Sequence, residues 1–244
     1  VASRADAQER SRRRFARRQW ARRWLTWRYA LLAAAVLAVV GGGVYAVYFS
    51  SALAVQGVEV VGADTVGEDV VLEAAAVPTG GPLATADLGA IERRVENLDA
   101  VRSADVSRQW PQDVRIEVEE RVPVAVVERG GDLRAVDDSG AVFDSYREAP
   151  PGLPRIQAAD ATDTEALRAA AEVVGALSEP VRLLVDHLEV AGVDDIDLVL
   201  DDGRTVRWGS AESSSQKAEV LVALLEQPGR VYDVSVPGQP TTSG

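Results

Sequence analysis

The sequence predicts an α+β protein. A single N-terminal transmembrane helix comes first, then a strand-helix-helix-strand-strand unit, then a mixed β domain with two helices. Three observations carry this. Residues Ala30–Phe49 form one uninterrupted apolar run, ALLAAAVLAVVGGGVYAVYF. Residues 55–120 pass from a β-branched run through two helical stretches to strict apolar–polar alternation. Beyond Pro123, short β-branched runs alternate with Gly- and Asp-rich turns, interrupted by two stretches whose apolar residues recur every three or four positions.

At about 1.5 Å per residue the apolar run gives roughly 30 Å of helix, the thickness of a bilayer's hydrocarbon core. Trp24, Trp27 and Tyr29 before it, and Tyr45, Tyr48 and Phe49 at its end, suit the two interfaces. Ten arginines precede Tyr29 against only Asp6 and Glu9, in a chain whose net charge is −12. The positive-inside rule therefore places residues 1–28 in the cytoplasm as an Arg-rich tail, residues 29–49 in the plasma membrane and the acidic remainder outside. A cleaved signal peptide has a shorter apolar core; Ser51–Ala54 reads like a cleavage site, but the run and the basic segment before it are both too long. A buried core helix would show a polar face, and this run has none. The arginines of residues 10–23 could form a nucleic-acid arm. Their place just before the span, interleaved with Trp20 and Trp24, favours topogenic charge against anionic membrane lipid and no nucleic acid. With no cysteine, disulfides and thiolate chemistry are excluded. The Arg-rich composition, with Lys217 the only lysine, is that of a GC-rich genome. Val1, in a chain without Met, reads as a non-standard start codon.

The outer part is read in order. Val55–Val61 is a strand ended by the turn residues Gly62-Ala63-Asp64. Thr65–Ala76 is a short helix stopped by Pro78, Gly80, Gly81 and Pro82. Thr85 or Asp87 caps the next helix, whose Leu88, Ile91, Val95 and Leu98 form one stripe. Strand Val101–Trp110, the turn Pro111-Gln112-Asp113 and strand Val114–Glu120 follow, the last with Val114, Ile116 and Val118 on its buried face. Past Pro123, strands at 124–128, 133–136 and 141–143 form a meander of hairpins, and Pro150, Pro151 and Pro154 make a stiff crossover. Asp163 or Thr164 opens a helix that Pro180 ends. Strands 183–190 and 196–200, the turn Asp201-Asp202-Gly203 and strand 204–208 follow. A helix capped by Ser213 or Ser214 runs to Glu226, and Val231–Val236 is the last strand. Residues 238–244 read as a flexible polar tail. The domain limits are then 53–121 for the first unit and 122–237 for the β domain.

Catalytic parts are sparse. His187 is the only histidine and lies in a strand, without the partners that zinc, Ser-His or Cys-His sites need. Ser214-Ser215-Gln216-Lys217 fits the S-x-x-K nucleophile motif of penicillin-binding enzymes, but their K-T-G partner motif is impossible with one lysine. A helix start with a surface lysine explains the same text. Asp194, Asp195, Asp197, Asp201 and Asp202 lack the spacing of a calcium loop and fit turn and strand chemistry. Gly41-Gly42-Gly43 permits close helix contact without specifying a partner. No enzyme, metal or cofactor is expected, and an interaction module tethered to a membrane remains.

Residues 108–123, R-Q-W-P-Q-D-V-R-I-E-V-E-E-R-V-P, resemble the FtsQ/DivIB family of bacterial cell-division proteins, above all at Arg108, Trp110, Pro111, Arg121 and Pro123. Val58–Gly62 is similar to the family's first strand, and residues 136–143, with Asp137 and Gly140, to its "v-D-x-x-G-x-v-F" text. Leu153-Pro154, Gly203, Gly209, Lys217, Asp233 and Pro237 follow its later motifs in order. The resemblance covers almost the whole chain. It implies a POTRA domain for the first unit and a β domain after it. It also implies partners of the FtsB/DivIC and FtsL type, a place at the division septum and control of FtsW/FtsI-type peptidoglycan synthases. By that likeness a partner adds a strand to the last sheet edge, here Val231, Tyr232, Asp233, Val234, Ser235 and Val236, unless that strand pairs only within its own sheet. Trp110 reads as core at the domain boundary. Arg108 and Arg121 read as partners of nearby carboxylates rather than exposed contacts. Two other classes compete: a POTRA-containing export or assembly factor, which would need a large membrane barrel, and a cell-wall enzyme resting on Ser214 and Lys217.

Overall fold

The computed structural model describes residues 5–244, with side chains from residue 27 onward. Helix α1 (Ala5–Phe49) begins well before the apolar run and continues through it. Its stretch Trp27–Phe49 is long and apolar enough to cross a membrane, and the rest of the chain buries none of it. Leu37 is 71 % and Val39 75 % exposed, an arrangement favourable in lipid and costly in water. The side chains of residues 10–23, on which the lipid reading of the tail rests, lie outside the described residues.

The chain leaves α1 through a 3₁₀ turn at Ser51–Leu53, where Ser50 Oγ accepts from the Ala52 N–H at 3.2 Å. There follow β1 (Gly57–Val61), α2 (Glu68–Ala75), a 3₁₀ turn at Leu83–Thr85, α3 (Leu88–Glu96), β2 (Val101–Gln109) and β3 (Asp113–Glu120). The sheet order is β1-β3-β2, with β1 parallel to β3 from Gly57↔Asp113 to Val61↔Glu117. The alternation in β3 is realised: Val114, Ile116 and Val118 are buried, as are Val71 and Ala75 on α2 and Ile91 and Val95 on α3. Asp87 is the cap of α3, accepting from the Ala90 N–H at 3.0 Å, while the Thr85 hydroxyl donates back to the Pro82 carbonyl. Trp110 is not core: it is 52 % exposed, because it sits at the tip of the β2–β3 turn beside the cis Trp110–Pro111 peptide.

The chain forms two compact units. One holds the segment through Val61 with Ala75–Glu92 and Asp105–Glu117; the other holds Gly62–Ala74, Arg93–Ala104 and Val118–Gly244. The second unit is built on a nine-stranded sheet. Its strands are β4 (Ala125–Arg129), β5 (Asp132–Val136), β6 (Val142–Tyr146), β7 (Arg155–Ala158), β8 (Val185–Gly192), β9 (Asp195–Leu200), β10 (Thr205–Arg207), β11 (Val231–Asp233) and β12 (Thr241–Ser243). The spatial order is β12-β11-β10-β9-β8-β7-β4-β5-β6.

Two parallel pairs need helical crossovers. Helices α4 (Thr164–Ala176) and α5 (Glu179–Arg182) join β7 to parallel β8, and α6 (Ser214–Leu224) joins β10 to parallel β11. β9 is antiparallel to both β8 and β10, so β8 and β10 run the same way. Both crossovers therefore step in the same direction from strands of the same sense. The right-handed rule then puts α4 and α6 on one face. Leu167, Ala170, Val174 and Leu177 of the α4 stripe join Leu221 and Leu224 of α6 in one core with Leu188, Leu198, Val206, Trp208 and Tyr232 of the sheet. On the other face Glu189 and Arg207 are exposed and Asp197, Val199, Thr205 and Val231 only half-buried.

Three elements differ from the sequence reading. The segment after the three prolines holds a central strand, β7, with Ile156 its only buried residue. Pro180 opens the short helix α5 as well as following α4; at a helix's first turn its missing N–H costs nothing. The tail read as flexible contains β12, paired to β11 from Val231↔Ser243 to Asp233↔Thr241.

Of the two proposed caps for α4, Asp163 is the one used, its Oδ1 accepting from the N–H groups of Glu165 and Ala166 at 3.0 and 3.1 Å. Asp163→Ala should lower stability in urea unfolding by about 1 kcal/mol, whereas Thr164→Ala should leave it nearly unchanged.

Candidate functional site: a buried carboxylate junction and a sheet edge

The motif at residues 136–143 folds around the side chain of Asp137, which has no solvent exposure. Its Oδ1 accepts from the Ser139 N–H (2.9 Å), the Ser139 hydroxyl (2.6 Å) and the Ala141 N–H (2.9 Å). Its Oδ2 accepts from Arg121 Nη1 at 2.6 Å. Burial by itself would raise the pKa of this carboxyl; the hydrogen bonds from Ser139, Arg121 and Ala141 outweigh it and hold the group below the ordinary range. Arg121 is also fixed through its backbone, its N–H donating to Ala100 O at 2.8 Å. Next to it, exposed Arg102 pairs with Asp138 at 2.5 Å. Gly140 closes the turn at φ +80°, where a Cβ would lie 2.5 Å from Thr164 O and 2.6 Å from Arg168 N. The Asp and Gly of the motif thus serve different needs: one anchors Arg121, the other lets the turn touch the start of α4.

The remaining motif residues are also structural. Among the described residues Arg108 pairs with no carboxylate; Nε and Nη2 donate to the carbonyls of Leu83 and Ala86 at 2.9 and 2.8 Å. Pro123 is half-buried ahead of β4. Gly203 turns β9 into β10 at φ +83°, its N–H donating to Leu200 O at 2.8 Å. Lys217 is not a surface lysine: it is 2 % exposed, and its Nζ donates to the carbonyls of Trp208 and Ser210 at 2.9 and 2.8 Å. The loop after β10 needs donors for those carbonyls, and a lysine one turn into α6 supplies them. Burial lowers the pKa of its ammonium, with Glu212 opposing. Ser214 Oγ donates to Ala211 O at 2.6 Å and accepts from Trp208 Nε1, so both members of the S-x-x-K text are engaged with backbone and indole. His187 lies between Asp186 (2.7 Å) and Glu189 (3.6 Å) on its own strand. Among the described residues no group of three or more His, Asp or Glu side chains is placed to hold a metal ion.

The predicted edge segment is corrected. Val231–Asp233 is an interior strand, hydrogen-bonded to β10 on one side and β12 on the other. Tyr232 is fully buried; its hydroxyl donates to the carbonyls of Gln227 and Gly229 at 2.9 and 3.1 Å and accepts from Arg204 Nη1 at 3.2 Å. The Arg204 guanidinium also sits 5.6 Å over the Tyr232 ring. After Asp233 the strand stops because the Asp233 carboxylate accepts from the Ser235 N–H and hydroxyl at 3.0 and 2.6 Å, an Asx-type turn. Val234 is buried, and Ser235 and Val236 are exposed. The outermost strand is β12, with all three residues exposed. It was missed because three polar residues show no apolar period; the Pro237-Gly238 turn followed by two β-branched threonines was the available signal.

Together these features define a POTRA-domain protein with an apolar N-terminal helix and a helix-backed sheet domain. Residues 53–121 match the FtsQ-type POTRA domain, and residues 125–236 match the C-terminal domain of cell division protein FtsQ/DivIB. A cell division protein FtsQ from Streptomyces collinus is 35 % identical over 233 residues, covering 88 % of this chain and 87 % of the relative. One from Mycobacterium tuberculosis is 38 % identical over 214 residues, covering 87 % and 68 %. The extracytoplasmic domain of the division protein DivIB from Geobacillus stearothermophilus aligns with TM-score 0.35 at 17 % identity, covering 43 % of this chain and 92 % of that one. The chain belongs to the FtsQ/DivIB family of cell-division proteins.

Gly140→Ala should cost about 3 kcal/mol in urea unfolding, combining left-handed strain with a backbone clash; Gly203→Ala, where nothing lies within 4 Å of an added Cβ, should cost only about 1–2 kcal/mol. Asp137→Asn should cost roughly 3–5 kcal/mol at neutral pH, the usual result of breaking a buried pair. Since the folded pKa of Asp137 is depressed, its contribution is complete above the unfolded carboxylate value of about 3.9 and is lost as pH falls through the folded value. Unfolding measured against pH should show an acid-side loss that is shallower in Asp137→Asn.

Proposed function

We propose that the chain is a single-span scaffold of the division septum, with its N-terminus in the cytoplasm and both sheets outside. It gathers single-span partners of the FtsB/DivIC and FtsL type and through them governs FtsW/FtsI-type septal peptidoglycan synthases. It contributes contacts rather than a chemical step. The observation that carries this is the open edge of β12: one side pairs with β11 and the other is free along three exposed residues. An added strand would satisfy the free backbone groups there, and its alternate side chains would meet the sheet's two faces.

The opposite edge, β6, is poorly suited to that role. Its pairing with β5 is broken by a register shift at Arg134/Ala135, and Asp144 lies at φ +41°. Bulged, kinked edges resist further strands. The docking strand is thus displaced by one position from Val231–Val236 to Thr241–Ser243.

A photocrosslinker at Thr241 or Ser243 should trap a small single-span partner, and one at buried Tyr232 should trap none. Thr242→Pro should abolish the complex. Capture at no exposed edge would sink strand addition. A fluorescent fusion should gather at midcell, with filamentation on depletion; an even membrane distribution would count against the septal role.

A further inference from the structure

The end of the first unit nearest α1 has two properties that edge docking does not explain. It is held tightly to the exit of the helix, and the three segments that form it hold a single charge. Past Phe49, the Ser50 N–H still donates to Ala46 O at 3.1 Å. Ala54 then bridges Pro82, Val55 donates to Gly81 O at 2.9 Å and accepts from the Gly80 N–H at 2.8 Å, and Gln56 donates to Gln112 O at 2.8 Å. Gln112 Nε2 returns a bond to Ala52 O at 3.2 Å. Arg108 ties the end of β2 to Leu83 and Ala86. The β2–β3 turn is therefore fixed beside a residue that at most about 10 Å of chain separates from Phe49.

Three segments meet there: residues 50–58, 77–86 and 107–112. In a chain of net charge −12 they contain no Asp or Glu and one Arg, Arg108. At the tip of the turn stands Trp110, an indole more than half exposed. Tyr45, Tyr48 and Phe49, also exposed, share one face at the end of the helix, the rings of Tyr45 and Phe49 stacked at 5.1 Å. Tryptophan is favoured in the headgroup layer, where its ring is desolvated and its N–H still finds acceptors; Asp113, paired with Gly57, is half-buried, and a surface with few exposed carboxylates limits repulsion by anionic lipid.

We propose that this end of the unit is a membrane-docking surface: Trp110 inserts into the headgroup layer of the bilayer that α1 crosses, and the sparsely charged rim lies against the lipid. The proposal rests on α1 spanning the membrane. It makes the hydrogen-bonded exit from α1 a fixed mount, setting which surface of the unit faces lipid and which remains open to protein partners.

The absence of cysteine allows a direct test. Single nitroxide labels are placed in the full chain at Gln109→Cys, Val39→Cys and Val222→Cys, in phosphatidylglycerol vesicles. Depth is read from relaxation by oxygen and by a water-soluble nickel chelate. The label at 39, at the centre of the apolar run, should lie in hydrocarbon, that at 109 at headgroup depth and that at 222 in water. Adding Trp110→Glu to Gln109→Cys should return label 109 to the accessibility of label 222. If label 109 is as water-exposed as label 222 while label 39 is buried, docking is wrong and the span stands. If label 39 is itself water-exposed, the spanning reading fails and docking with it.

Discussion

The second unit depends on one buried charge. Asp137 has no access to water, and an ionised carboxylate in that position is tolerated only when every lone pair is engaged. Three donors come from the turn that Asp137 itself begins, and the fourth is the guanidinium of Arg121 at the end of β3. The same turn needs Gly140 to lie against the start of α4. One side chain therefore sets the exit of β3, the β5–β6 connection and the seat of a helix nearly thirty residues further on. Asp137, Gly140 and Arg121 thus meet at one junction, although Arg121 belongs to a different stretch of the sequence.

A second constraint is chirality. Two right-handed crossovers stepping the same way along the sheet put α4 and α6 on one face. The main core forms on that side, while Val126, Ala135 and Phe143 of β4, β5 and β6 are buried on the other face. Buried Lys217 belongs to this layer: it joins α6 to the loop leaving β10 through two carbonyls. The sheet then runs on by one short strand, and that strand leaves an edge available to another polypeptide.

Much of this was legible beforehand where side-chain periodicity is strong. The alternation of β3 and the stripe of α4 announce themselves because burial of one face leaves a period of two or 3.6 in the sequence; the apolar run does so by lacking any polar face, and the hairpin at Gly203 by its turn residues. The errors fall where no period exists. β7 buries only Ile156 behind three prolines, and β12 buries nothing. Trp110 looked like core because large aromatics usually are, and Lys217 looked exposed because lysines usually are. In both cases a specific location overrides the residue's ordinary preference: the tip of a turn for the tryptophan, two carbonyls lacking donors for the lysine. The edge was assigned to Val231–Val236 by family likeness, yet an edge strand in water is better served by a polar segment such as Thr241–Ser243.

By itself the sequence determined the apolar helix, the strand-helix-helix-strand-strand unit, the hairpin-rich domain after it and the family to which both belong. Each of these rests on local patterns that a few neighbouring residues carry. Only the tertiary structure decided that Asp137 is satisfied by Arg121, that Lys217 is buried, that Val231–Asp233 is interior and that β12 is the edge. Those are pairings between residues distant in the chain. Hydrogen-bond partners and strand order are chosen by the geometry of the assembled sheet, for which no single segment holds the information.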